Sequence, residues 1–401
     1  MNRQLIKCLL ALWSTAAWAC ASGDSSEKDF VPDRTQDPDD GADPAEDPDI
    51  PLEPESETEG DTDEDPEPAE DVGLDAQDGP DASVDTDEED AGADIEFEPA
   101  GPGVWVEKFP GASPPARTYH AMAFDEARGV TLLFGGLADE EKLGDTWTWD
   151  GEVWTLLETA AAPEPRHGHA MTYDGLHGVV LLFGGNGDSS PVLDDMWQWD
   201  GAEWSRVVPS RAPPGGEGAK MAWDSGRRLT VLYRGDSFAG EYTETWEWDG
   251  MEWSRRSHGP NPPARSGSAM AFDSTRNLTV LFGGFDGPDV YLKDTWTWNG
   301  TTWVEVLAES SPARRFGHGM AFDRSRRVTL LIGGVGVGSA FRDPWEFDGT
   351  DWFKPELDVL PPARENACLV YDSSREVIVL FGGGIPMPGR YFNDTWEYVQ
   401  E

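Results

Sequence analysis

The chain is short of cysteine, of positive charge and of recognisable catalytic pairings. Its three cysteines are Cys8, Cys20 and Cys368. Two lie at the start, so the body of the protein holds one thiol and no internal disulfide. It must be held by packing, which a chain of this length can supply. Lysine and arginine number 30 against 77 aspartate and glutamate, a net charge of −47. Such a balance excludes nucleic acid as a partner, because phosphate neutralisation needs a basic footprint. Paired-histidine motifs and a Ser-His-Asp arrangement are missing, which argues against hydrolytic and metal-assisted chemistry. The apolar run Leu9 to Trp18 is too short to span a bilayer.

That run has another use. Arg3 and Lys7 precede it and Ala17-Trp18-Ala19 follow it, the pattern of a secretory leader over residues 1–19. Cys20 comes next. Small residues followed by cysteine resemble a bacterial lipoprotein signal, which implies that Cys20 carries lipid and is the mature N-terminus. The address expected is the outer membrane or cell surface, with periplasmic or secreted protein as the alternative. Residues 20–102 form a linker. Its span 21–100 holds 33 acidic and 2 basic residues, with many Asp-Pro and Glu-Pro steps. This composition cannot bury enough apolar surface to offset its ordering entropy, so a disordered, extended spacer is expected. Asp85, Asp87, Glu89 and Glu96 mimic part of an EF-hand loop, but Asp90 stands where glycine is needed.

Residues 103–401 are built from one unit repeated six times. Paired glycines fall at 135–136, 184–185, 283–284, 333–334 and 382–383, with Arg234-Gly235 in the third repeat. Trp147/Trp149, Trp197/Trp199, Trp246/Trp248, Trp296/Trp298, Trp345/Phe347 and Trp396/Tyr398 keep the same step. A fixed period near 50 residues signals a closed or stacked repeat. Each unit reads as four strands: a His-Ala-Met-Ala-Phe type strand a, an apolar strand b, a Trp-x-Trp strand c and a strand d opened by Trp154 or its equivalents. Asp-x-x-Arg, as in Asp125/Arg128, joins a to b as an Asp-initiated turn. Asp-Gly, as in Asp150-Gly151, predicts a two-residue hairpin between c and d.

Six four-stranded units predict an all-β, six-bladed propeller. Paired glycines, Asp-x-Trp and a second Trp at constant spacing are similar to the kelch motif, here of a secreted or lipoprotein type. The last repeat stops at Glu401, after its strand c. Trp105 lies 49 residues before Trp154, in register with the other strand-d tryptophans. An N-terminal strand should therefore close the last blade and leave no open edge.

The resemblance extends to the galactose-oxidase propeller, whose copper centre uses a Cys–Tyr cross-link. Cys368 sits inside a strand and reads as a small core residue instead. His120, His169 and His318 share one repeat position but come from blades 1, 2 and 5, so core packing is expected rather than a metal site. Arg117, Arg166, Arg265, Arg315 and Arg364 form a ring that reads as inter-blade ion pairing. No catalytic residue, metal or cofactor is expected.

Binding is expected on the b-to-c loops, which vary in length and carry aromatics beside arginine or lysine. The candidates are Phe238, Tyr242, Phe285, Tyr291, Phe341, Arg342, Arg390, Tyr391 and Phe392. The reading is a monomeric, non-catalytic platform for a protein or a cell-surface glycan, touching membrane only through its lipid. The alternatives are an enzyme working at the central channel and a purely structural envelope protein.

Overall fold

The computed structural model describes residues 101–236, 242–256, 259–287, 290–385 and 389–400. The leader, Cys20, the acidic linker through residue 100 and Phe238 lie outside the described residues, as does the side chain of Tyr242. Every regular element within them is a strand.

Six antiparallel sheets repeat one design. In blade 1 the strands are Ala121–Asp125 (a), Val130–Ala138 (b), Glu141–Trp149 (c) and Trp154–Leu157 (d), hydrogen-bonded in the order a-b-c-d. Strand a begins again at Ala170, Lys220, Ala269, Phe316 and Cys368. Blade 6 takes a, b and c from Cys368–Asp372, Val377–Phe381 and Thr395–Val399, and its outer strand from Val104–Lys108. That strand pairs with strand c in the register Trp105↔Tyr398. The Gly103 amide donates to the Tyr398 hydroxyl (3.0 Å), which in turn donates to Glu346 of blade 5 (2.8 Å).

The blades adhere through apolar faces. Ala121, Leu132 and Phe134 of blade 1 pack on Met171, Leu182, Trp199 and Trp204 of blade 2, and the other interfaces repeat this scheme. Strand b is sealed: Leu132, Leu133 and Phe134 have no exposed surface. Each strand-d indole also needs a partner for its N–H. Trp154, Trp204, Trp303 and Trp352 donate to Thr395, Thr146, Thr245 and Thr295 of the preceding blade at 2.7–3.0 Å. Blades 2 and 5 carry Met196 and Pro344 at the threonine position. The matching Nε1 atoms of Trp253 and Trp105 are buried with no hydrogen-bond partner among the described residues.

Two turn readings meet different outcomes. In the a-to-b turn, Asp125 Oδ1 accepts the Arg128 amide and its carboxylate pairs with the Arg128 guanidinium at 2.9 Å, as its sequence implies. The c-to-d connection is not a two-residue hairpin. Trp149 pairs with Trp154, leaving a four-residue loop. Asp150 Oδ1 accepts the amides of Glu152 and Val153 at 2.8 and 2.7 Å, so the side chain organises the loop. Only the glycine takes positive φ, 102° at Gly151. It has a second reason to be glycine: a Cβ there would lie 2.7 Å from Arg375 Nη1 of the neighbouring blade.

Candidate functional site

One face of the disc, called the front here, carries the b-to-c connections and the d-to-a crossovers. The rear carries the a-to-b and c-to-d turns. The front arginines are structural. Arg117 is fully buried, holds Asp145 with two bonds of 2.7 Å and donates to the carbonyl of Gly135. Asp145 also accepts the Trp147 indole N–H at 2.6 Å. Arg166–Asp195, Arg265–Asp294, Arg315–Asp343 and Arg364–Asp394 repeat the arrangement. The side-chain pairing lies within one blade, which corrects the inter-blade expectation. The backbone of the same residues does cross between blades: the Arg117 amide donates to Phe392 and its carbonyl accepts from Gly383, both of blade 6. Arg117, Arg315 and Arg364 thus dock the main chain on one blade and the guanidinium in the next. Asp145, Asp195, Asp294 and Asp343 lie below their ordinary range: burial opposes the charge, but the guanidinium bonds outweigh it. Blade 3 has Gly216 in place of arginine, and the guanidinium of Arg234 fills the room, 3.3 Å from where a Cβ of residue 216 would stand. Arg234 is buried.

Several candidate aromatics serve this scaffold. Phe341 lies against the Arg315 guanidinium at 4.1 Å, and Phe392 against Arg364 at 4.4 Å. Both occupy the position two before the paired aspartate, held elsewhere by Leu143, Leu193 and Leu292. Phe392 is buried, with the exposed Arg390 guanidinium 5.1 Å from its ring. Phe285 and Tyr291 are not loop residues; they pair across lengthened strands b and c of blade 4. They enclose Phe316 at 4.9 and 5.7 Å. Arg342 and Arg390 are exposed, and Tyr291 and Tyr391 half-buried.

The front mouth of the central channel gathers a different set. Each of the five arginines, and Gly216 in blade 3, is followed by two residues that reach the axis. The second takes positive φ: Tyr119 (55°), Gly168 (65°), Gly218 (86°), Gly267 (65°), Gly317 (64°) and Asn366 (53°). Backbone bonds link them from blade to blade, among them Gly168 to Tyr119 (2.9 Å), Gly218 to Gly168 (2.9 Å) and Asn366 to Gly317 (2.6 Å). Tyr119 and Asn366 bear side chains where glycine is the easy choice, a strain that tends to gather at functional sites.

Around them stand His167, Glu217 and Glu365. His167 Nδ1 is 3.3 Å from Glu217. Burial opposes the Glu217 charge, yet His167 and Asn186 hold it below its usual value. Glu365 has no such help: its Oε2 is buried without a partner among the described residues, and burial pushes the group up to about 7. The Tyr119 phenol is raised by burial and then by Glu365 and Glu217. Deeper in, burial lowers the Lys220 ammonium and pushes the Cys368 thiol up to about 11, which removes thiolate chemistry at neutral pH. The three repeat histidines are also withdrawn from chemistry. His120, His169 and His318 lie edge-on to Phe381, Phe134 and Phe282 of the preceding blades. Burial drives His120 down to about 3, and its two counterparts also fall well below the usual range.

Sequence reasoning missed Tyr119, Glu217, Glu365 and Asn366. The signal was available: the pair after each arginine, or after Gly216 in blade 3, reads Thr-Tyr, His-Gly, Glu-Gly, Ser-Gly, Phe-Gly and Glu-Asn, varied where its surroundings repeat.

The KLHDC2/KLHL20/DRC7 Kelch-repeats domain matches residues 105–255 and 241–400. The chain belongs to the kelch-repeat family. Its kelch propeller is also similar to a solved structure described as "Structure of YjhT", with a TM-score of 0.55 and 14% identity over 71% of this chain and 95% of that one. At that identity the likeness concerns fold alone. No curated protein sequence matches the chain.

Proposed function

We propose that this kelch propeller is an exported, non-catalytic binding platform, tethered by lipid on Cys20 through the acidic spacer. Its partner is a protein or a cell-surface glycan, met on the front face around the channel mouth. Glu365 carries the reading. Its carboxyl oxygen is buried beside Tyr119 without a hydrogen-bond partner among the described residues, a costly state that a ligand donor relieves. The five ring arginines and the repeat histidines His120, His169 and His318, by contrast, are consumed by the scaffold. Tyr391, Tyr291, Arg342 and Arg390 supply the accessible aromatic and charged rim.

The test is a glycan array and a pull-down with the wild type, Glu365→Gln, Tyr391→Ala and the double variant Arg342→Ala/Arg390→Ala. Loss of capture in these folded variants supports the front face. Unchanged capture rejects it. Membrane fractionation of Cys20→Ser against wild type checks the tether.

One observation favours the enzyme alternative. A carboxyl held near neutrality is suited to proton transfer, and Glu365 has that property. An activity on a captured ligand that Glu365→Gln abolishes without loss of capture would move the assignment to catalysis.

A further inference from the structure

The rear mouth of the channel is closed on one side only. The residue after each turn aspartate encircles the axis there: Glu126, Gly175, Ser225, Ser274, Arg324 and Ser373 in blades 1 to 6. Arg324 reaches past blade 6 to pair with Glu126 at 2.9 Å, and Ser373 donates to the same carboxylate at 3.5 Å. Blades 5, 6 and 1 are thereby bridged. Blades 2, 3 and 4 present only glycine and serine, and beside them lies an open depression of about 390 Å³, whose wall also takes in the Glu126–Arg324 pair.

The pocket has a built wall. Strand a carries Phe or Tyr before its turn aspartate in every other blade, but blade 3 carries the larger Trp223. The indole lies beside Gly175, where a Cβ would come within 2.9 Å of its Nε1. Glycine at this turn position, found in blade 2 alone, makes room for it. Trp223 is half-buried and lines the pocket, and its N–H meets no acceptor among the described residues. Beside it stands Arg228, exposed and in no ion pair among the described residues. The arginines of the Asp-x-x-Arg turns, by comparison, all face their aspartates.

We infer that this rear pocket binds a hexuronic acid residue, as found at the end of an acidic glycan. The flat indole takes the C–H face of a pyranose ring, and its N–H and the Ser225 and Ser274 hydroxyls meet sugar hydroxyls. The unpaired Arg228 guanidinium takes the carboxylate. The site lies on the face opposite the proposed front platform, so either can fail without the other.

The test is calorimetric titration and saturation-transfer NMR with glucuronic acid, galacturonic acid and glucose. The expected result is binding of at least one uronic acid, at least tenfold tighter than glucose. Arg228→Glu should abolish it, and Gly175→Ala, which displaces the indole, should weaken it severalfold, with melting temperature and front-face capture unchanged for Arg228→Glu. Lack of uronic acid binding by the wild type would overturn the assignment. So would equal binding of glucose, or Arg228→Glu and Gly175→Ala proteins that bind as the wild type does.

Discussion

The Trp303 indole N–H of blade 4 donates to Thr245 Oγ1 of blade 3 at 2.7 Å, whereas the equivalent N–H of Trp253 faces blade 2 with no partner among the described residues. The two residues are alike in burial, so the hydrogen bond separates them. Trp303→Phe removes a made bond and strands the threonine hydroxyl; Trp253→Phe removes a group that was already unpaired. The first should cost about 1–2 kcal/mol more than the second. Urea unfolding midpoints of both variants check this, and equal losses would refute it.

The front arginine staple should be intolerant of a missing partner. Asp294→Ala leaves the fully buried Arg265 guanidinium with neutral acceptors, the carbonyls of Pro263 and Gly283 and the Tyr233 hydroxyl. Breaking such a pair from one side should cost about 3 kcal/mol or more. Arg342→Ala, at an exposed site, should change stability by less than about 0.5 kcal/mol. Chemical denaturation of both variants measures the contrast.

Ring closure rests on the strand Val104–Lys108. Without residues 103–108 blade 6 loses its outer strand, Trp105 leaves its interface and Tyr398 loses a partner. The melting transition of the whole propeller should broaden and fall. Scanning calorimetry of the deletion protein settles the matter, and a transition as sharp and as high as that of the parent would contradict the closure argument.

Stability should fall as the solution is acidified from neutral pH. His120, His169 and His318 resist protonation in the fold, whereas in the unfolded chain they titrate near 6.5. Below that pH the unfolded state binds more protons, so it gains on the native state. The window opens at about 6.5 and for His120 extends to about 3. Each histidine contributes a slope of roughly 1.4 kcal/mol per pH unit. Glu365 opposes them, because its folded value is raised to about 7 and the native state holds that proton. His318→Gln should flatten the fall and Glu365→Gln should steepen it. Urea titrations between pH 7.5 and 5 read both.

Most of the architecture was legible because each blade must solve the same packing problem. The spacing of Trp149, Trp199, Trp248 and Trp298 fixes strand c, and Trp105 announces closure through its register with Trp154. Side-chain direction was less legible. Phe341 and Phe392 look like ligand anchors by composition, but their alignment with Leu143 and Leu193 marks them as covers for a buried guanidinium. Phe285 and Tyr291 were read as loop residues because strand extension depends on cross-strand pairing, which a single segment does not display. The channel-mouth residues were overlooked for the opposite reason. Tyr119 and Glu365 belong to no motif, and their importance comes from six crossovers converging on one axis.

The pairing of Val104 with Val399 brings residues far apart in the chain into adjacent rows of a single blade. Splicing those two ends with a short bridge and cutting instead at an exposed rear turn, such as the one after Asp249, should give a rewired protein of the same shape. In such a variant blade 6 would be woven from consecutive sequence and blade 3 would hold the join, so the seam that now lies in blade 6 could be moved to any sector of the wheel.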